Sequence, residues 1–149
     1  MKFWDTSALV PLLVAEDATK AVISLHTADP ILLVAWTTLV ECASALARAE
    51  HDGLLSSAKS STAFGRLDAL AANWREVEPS NDLRDIARRL LRVHRLRAGD
   101  AIQLAAASLA AERRPASLTF VTLDERLEVA ARKEGFPVVR PASSGAVTA

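Results

Sequence analysis

Short apolar runs alternate with longer stretches of helical period along this chain. The runs are Lys2–Trp4, Ile31–Ala35, Trp74–Val77, Thr119–Thr122 and Val138–Val139. Helical patterns lie between them, at Ala8–Ala15, Asp17–Thr27, Thr38–Glu50, Ser56–Asn73, Asn81–Val93, Asp100–Glu112 and Glu125–Glu134. Alternation of strand and helix predicts an α/β domain in three layers, helix over sheet over helix, with a mainly parallel central sheet. The clearest period is in NDLRDIARRLLRV, where Leu83, Ile86, Ala87, Leu90 and Leu91 form a buried stripe. Arg84, Arg88, Arg92 and Arg95 take another face, and Arg97 continues the run toward Asp100. That face reads either as a solvated basic surface or as an edge that attracts phosphate. The tail PASSGAVTA, residues 141–149, is small and polar enough to fray, which leaves residues 1–140 as the folded domain.

Composition narrows the class. The chain has 149 residues, half of them hydrophobic, enough for one domain with a real core. Lys plus Arg and Asp plus Glu balance at 18 each, so only local clustering of charge can speak for or against nucleic acid. One cysteine, Cys42, allows no disulfide within the chain and suits a reducing cytosol. The apolar stretch after Ala8 follows an acid and lacks a basic front region, which argues against a signal peptide. No apolar run approaches the roughly 18 residues of a membrane span, so the expectation is a soluble cytoplasmic protein.

Four acids carry the candidate chemistry. In parallel α/β sheets, ligands gather at the carboxyl ends of strands beside helix N-termini. Asp5 ends the first strand in FWDTSALVPLL, and Glu41 lies one turn into the helix of TTLVECASALARA. Asp100 opens DAIQLAAASLAAE, and Asp124 closes TFVTLD. Each has a structural alternative. Asp5 can cap the helix at Ala8, Asp100 with Gln103 fits a capping box, and Thr122 with Glu125 fits another, with Asp124 in the first helical turn. Glu41 can be a surface residue beside Arg48. Together, four converging carboxylates would repel unless cations sat among them, and oxygen ligands select Mg2+ or Mn2+. His26, His51 and His94 are scattered, so no zinc spacing exists, and no glycine-rich phosphate loop is present.

These segments resemble the motifs of PIN domains. FWDTSALVPLL is similar to their opening, TTLVECASAL to their second motif, HRLRAGDAIQLAAA to their third, and TFVTLDERLEVAARKEGFPVV to their last. The resemblance runs in order from Lys2 to about Val139, and the compact length is most similar to the VapC toxins of toxin–antitoxin pairs. It implies a PIN-like three-layer α/β/α sandwich with a mainly parallel sheet of four or five strands. It implies that Asp5, Glu41, Asp100 and Asp124 form the acidic metal-binding and catalytic set. Ser7 and Thr122 would orient the carboxylates, and Arg97 matches a basic position before the third acid. Gly99 departs from the family, which often has a larger residue there. The implied activity is a Mg2+- or Mn2+-dependent ribonuclease with a VapB-like antitoxin partner and a homodimeric assembly. Arg88, Arg92, Arg95 and Arg97 are candidates for holding RNA phosphates.

Three other readings stand beside this one: a PIN nuclease that is not a toxin, a silent RNA- or protein-binding module, and a haloacid dehalogenase-like phosphatase. The last wants a second acid two residues after Asp5, where this chain has Ser7. Leu12, Leu13, Trp36 and Leu39 are candidates for partner contact, with the core as the expected place for each. The Ser56–Asn73 helix, with few charges, suits a partner contact or a substrate-facing lid.

Overall fold

The computed structural model describes residues 1–143, and the rest of the expected tail lies outside the described residues. Five strands form one sheet: β1 (Lys2–Trp4), β2 (Leu32–Ala35), β3 (Arg75–Val77), β4 (Phe120–Val121) and β5 (Val138–Val139). Their order is β3-β2-β1-β4-β5, and every pairing is parallel. Seven α-helices connect them among the described residues: α1 (Thr6–Leu13), α2 (Thr19–Ala28), α3 (Thr38–His51), α4 (Ser57–Ala71), α5 (Asn81–Val93), α6 (Ala98–Ala110) and α7 (Glu125–Lys133). Each expected element is present, with ends displaced by a few residues.

Alternation along the short strands builds the two cores. Successive strand residues point to opposite faces. Phe3 packs with Leu83, Ile86, Leu90, Leu104 and Leu127, beneath α5, α6 and α7. Trp4, one residue on, packs with Leu9, Leu13, Leu46 and Leu67, beneath α1, α3 and α4. Phe120 and Val121 divide in the same way between the two faces. A central parallel strand covered on both faces reads as a continuous apolar run, and β2 is buried throughout.

This arrangement fixes where the polar residues fall. β1 is central, so the residue that follows Trp4 emerges between the ends of β2 and β4. Parallel strands put all their carboxyl ends on one rim. Asp5 follows β1, Glu41 lies in the first turn of α3 after β2, and Asp124 follows β4. The α4 helix packs on α1 and α3, with Ser60, Ala63 and Leu67 buried, so it is part of a core layer.

Three expectations about apolar residues are corrected, at Trp36, at Leu39 and at Leu91, which leaves the buried stripe of α5 and is 41% exposed. Leu13 is fully buried, and Leu12 packs partly buried against the same core. Trp36 is 52% exposed and Leu39 is 37% exposed, beside Val40 at 69%. Trp36 directly follows the last residue of β2, so it stands on the rim, beyond the cover of the flanking helices. Ring size argues for burial only where the fold supplies something to bury against.

Candidate metal centre

Asp5 both caps α1 and stays buried. Its backbone is extended, and its carboxylate accepts from the Ser7 amide at 3.3 Å, as an N-cap does. The same oxygen, Oδ2, accepts from Ser7 Oγ and, at 2.9 Å, from Thr122 Oγ1. Among the described residues, every hydrogen bond to this carboxylate ends on Oδ2, which leaves Oδ1 for a ligand. Burial pushes the Asp5 carboxyl up to about 6 in spite of those donors, and the nearby charge of Glu41 adds to the rise. The two hydroxyls are themselves held. Ser7 Oγ accepts from the Leu123 amide at 2.9 Å, and Thr122 Oγ1 accepts from the Asp124 amide at 3.0 Å. Each donates onward to Asp5, so the loop after β4 is tied to the end of β1.

Glu41 is half-buried and held by three donors. Thr37 Oγ1 donates to Oε1 at 3.0 Å, Thr6 Oγ1 donates to Oε2 at 3.0 Å, and Gln103 Nε2 donates to Oε1 at 3.3 Å. The alternative of a surface residue does not hold, because the carboxylate turns inward to these three donors. Sequence reasoning missed Thr6, Thr37 and Gln103. Thr6 and Thr37 lie inside FWDTSALVPLL and TTLVECASAL, but nothing in those segments says that their hydroxyls turn to Glu41. Gln103 gave a misleading signal, as the far member of an Asp-x-x-Gln capping box. The box is differently built: α6 starts at Ala98 with Arg97 as N-cap, and Asp100 is the residue that reaches back to the Arg97 amide at 3.3 Å. Gln103 turns inward and is buried.

Asp100 and Asp124 form the other half of the rim. They line one polar hollow with Arg97, Glu125 and Arg126. Partial burial raises the Asp100 carboxyl above its ordinary value, with Asp124 adding to the rise and the Arg97 amide opposing it. Asp124, with no help from a Thr122–Glu125 box, is the N-cap of α7 and accepts from the Leu127 amide at 2.9 Å. The two halves meet at Gly99, where a Cβ would lie 3.9 Å from Glu41 Oε1. That is ordinary contact, so a small side chain would fit at this position.

The four acids therefore share the carboxyl rim of the sheet as two neighbouring pairs. Among the described residues, no three Asp, Glu, His or Cys side chains stand close enough to enclose a cation as they are. The donor chemistry nonetheless fits a hard divalent ion. The groups are carboxylates, two of them have raised pKa values beside like charges, and Asp5 keeps one oxygen open. Cys42 sits beside Glu41, but burial first and then the neighbouring acids push its thiol up to about 12, so it offers no thiolate to a softer metal.

The arginines divide. Arg97 shares the polar hollow with Asp100 and Asp124, as does Arg126, which sequence reasoning passed over. Arg88 and Arg92 line a separate hollow with Asp85, Arg89 and Leu91, and Arg95 is exposed. A larger apolar groove of about 690 Å3 runs from the end of β2 to α5 and α6, lined by Trp36, Thr37, Val77, Leu83, Leu91 and Ile102 among others.

The family model for the PIN domain matches residues 2–133. The chain belongs to the PIN domain family. PIN domains are generally nucleases, and PIN nucleases generally use divalent cations. This PIN domain shares its fold with a toxin–antitoxin complex from Klebsiella pneumoniae, at 21% identity and a TM-score of 0.65, covering 96% of this chain and 99% of that one. It is similar to FitAcB from Neisseria gonorrhoeae, at 19% identity and a TM-score of 0.65, covering 95% of this chain and 98% of that one. It is also similar to VapBC-5 from Mycobacterium tuberculosis, at 17% identity and a TM-score of 0.58, covering 93% and 95%. A search of curated protein sequences returns no significant match. No helix among the described residues is long and apolar enough to cross a membrane.

Proposed function

We propose that this chain is the toxin of a type II toxin–antitoxin pair, a Mg2+- or Mn2+-dependent endoribonuclease. The observation that carries the reading is the built half of the rim, where Asp5 and Glu41 are fixed by five side chains while Asp5 Oδ1 stays open. Fold neighbours whose descriptions name toxin–antitoxin systems support the biological context.

Asp5 is the central ligand of the proposed centre, Glu41 and Asp100 flank it, and Asp124 completes the set. When bound, a hard divalent cation supplies a nucleophilic water near neutral pH and draws charge off the scissile phosphate. Ser7 and Thr122 hold the Asp5 carboxylate in orientation, and Thr37, Thr6 and Gln103 do the same for Glu41. Arg97 and Arg126 place positive charge beside Asp100 and Asp124, where a phosphate can be held by paired donors. Single-stranded or loop RNA suits this open rim better than a duplex.

The antitoxin is a VapB-like protein, and a segment of it lies in the groove beside Trp36. That groove reaches Thr37, the donor to Glu41, so a bound segment would sit next to the acids. A homodimer would bury Leu39 and Val40, which are exposed on α3. The phosphatase alternative loses ground, because Ser7 Oγ is committed to Asp5 and Leu123 and no general acid stands in its place. The separation of the acids into two pairs favours one second reading, a PIN module that binds RNA without cutting it.

Cleavage assays separate these readings. Purified protein with Mg2+ or Mn2+ should cut RNA to 5′-phosphate and 3′-hydroxyl ends and leave a small phosphomonoester intact. Expression without antitoxin should arrest growth. Gel retardation of RNA with no metal-dependent cleavage would establish the silent module instead.

A further inference from the structure

Gln103 lies on α6, three residues after Asp100, and is 1% exposed. Its Nε2 faces three acceptors: Thr38 Oγ1 at 3.0 Å, Thr6 Oγ1 at 3.3 Å and Glu41 Oε1 at 3.3 Å. Thr6 Oγ1 donates in turn to Glu41 Oε2. One amide thus reaches both oxygens of the carboxylate, one directly and one through a hydroxyl. The reverse amide orientation would set oxygen against the Glu41 carboxylate, so the charge selects Nε2 for that side. Among the described residues, Gln103 Oε1 has no hydrogen-bond partner. A buried acceptor without a donor is a penalty that an apolar residue of similar size would remove. The fold tolerates that penalty at a position on α6 from which a side-chain donor reaches Glu41.

We propose that Gln103 is a positioning residue, which holds Glu41 in the orientation that ligates a divalent cation and, through α6, sets its spacing from Asp100. This rests on the reading of the acids as a metal centre. The structural alternative is a polar pin that merely joins α6 to α1 and α3. Metal affinity in a double-mutant cycle separates the two, because a pin would act with or without the Glu41 charge.

The test is a Mn2+ titration, read by electron paramagnetic resonance, of the full chain. It compares wild type, Gln103→Met, Glu41→Gln, their combination, and Asp5→Asn. Gln103→Met should weaken Mn2+ binding about tenfold, the scale of a residue that orients a ligand. On the Glu41→Gln background the same change should alter affinity by less than about twofold. Unchanged affinity in Gln103→Met, or an equal loss on both backgrounds, would overturn the proposal. Wild-type affinity in Asp5→Asn would overturn the metal centre and Gln103 with it. Loss in Asp5→Asn with none in Gln103→Met would overturn Gln103 alone. Circular dichroism of each metal-free variant checks folding. Should Gln103→Met not fold, Gln103→Asn replaces it, since it keeps the amide but draws the donor back from Glu41, and the same outcomes decide.

Discussion

Thr122 donates its hydroxyl to Asp5 across 117 positions of sequence, at 2.9 Å, and receives the Asp124 amide on the same oxygen. This one side chain ties the end of β1 to the start of α7. It holds the proposed central ligand and places the backbone of another. An alanine there would leave Asp5 with one donor fewer and the Asp124 amide without its acceptor, with the Ser7–Leu123 bond as the remaining side-chain tie between β1 and this loop.

Asp5→Asn should reduce RNA cleavage by roughly 100- to 1,000-fold, the scale of losing a charged group aimed at the reacting centre. The fold should be intact, since Asn also caps helices. Single-turnover cleavage with Mg2+, next to a circular dichroism spectrum, checks both halves. Activity equal to wild type would remove Asp5 from the mechanism.

Stability of the metal-free protein should fall as pH rises. The Asp5 carboxyl is raised from 3.8 to about 6 in the fold, so the folded state prefers the protonated form. Its contribution is fully present below the unfolded value and is lost as pH passes through about 6. A shift of about two units corresponds to about 3 kcal/mol. Urea unfolding in EDTA at pH 4.5 and pH 7.5 should show part of this difference, and Asp5→Asn should flatten it. Mg2+ at pH 7.5 should restore stability, by binding the folded state alone.

The order of strands and helices was legible because the period of apolar residues changes sharply at each boundary, as between Trp74–Val77 and the Leu83–Leu90 stripe. The acids were legible because Asp5 and Asp124 directly follow strands and Glu41 and Asp100 lie in the first turn of a helix. What holds those acids was not. Gln103 sits three residues after an acid, as a capping partner does, and only the inward turn of α6 shows where it points. Trp4 and Trp36 are the same residue type near the ends of neighbouring strands, but Trp4 is the last residue within β1 and Trp36 lies one residue beyond β2. That one step carries Trp36 past the buried end of β2 and onto the exposed rim.

That difference predicts a contrast in stability. Trp36→Ala should change unfolding free energy by no more than about 0.5 kcal/mol, as surface substitutions do. Trp4→Ala, at 0% exposure, should cost about 3–5 kcal/mol. Denaturant unfolding measures both. A large loss at Trp36 would mean that the ring is buried in solution, as it would be in a self-associated form.

Arg97 and Arg126 should each contribute one phosphate contact. Replacing either with Ala should lower RNA affinity for every sequence alike and reduce the slope of log K against log salt by about 1. Arg92→Ala, in the separate hollow on α5, should leave that slope unchanged. Fluorescence anisotropy with the cleavage-dead Asp5→Asn background gives the slopes directly.

The central claim is that the acidic rim binds a divalent cation, and the most direct test is a crystal structure with Mn2+ read by anomalous scattering. The account predicts a peak about 2.1 Å from Asp5 Oδ1, with Glu41 or Asp100 completing its oxygen shell. A map with no peak on that rim at saturating Mn2+, or with the ion bound elsewhere, would contradict it.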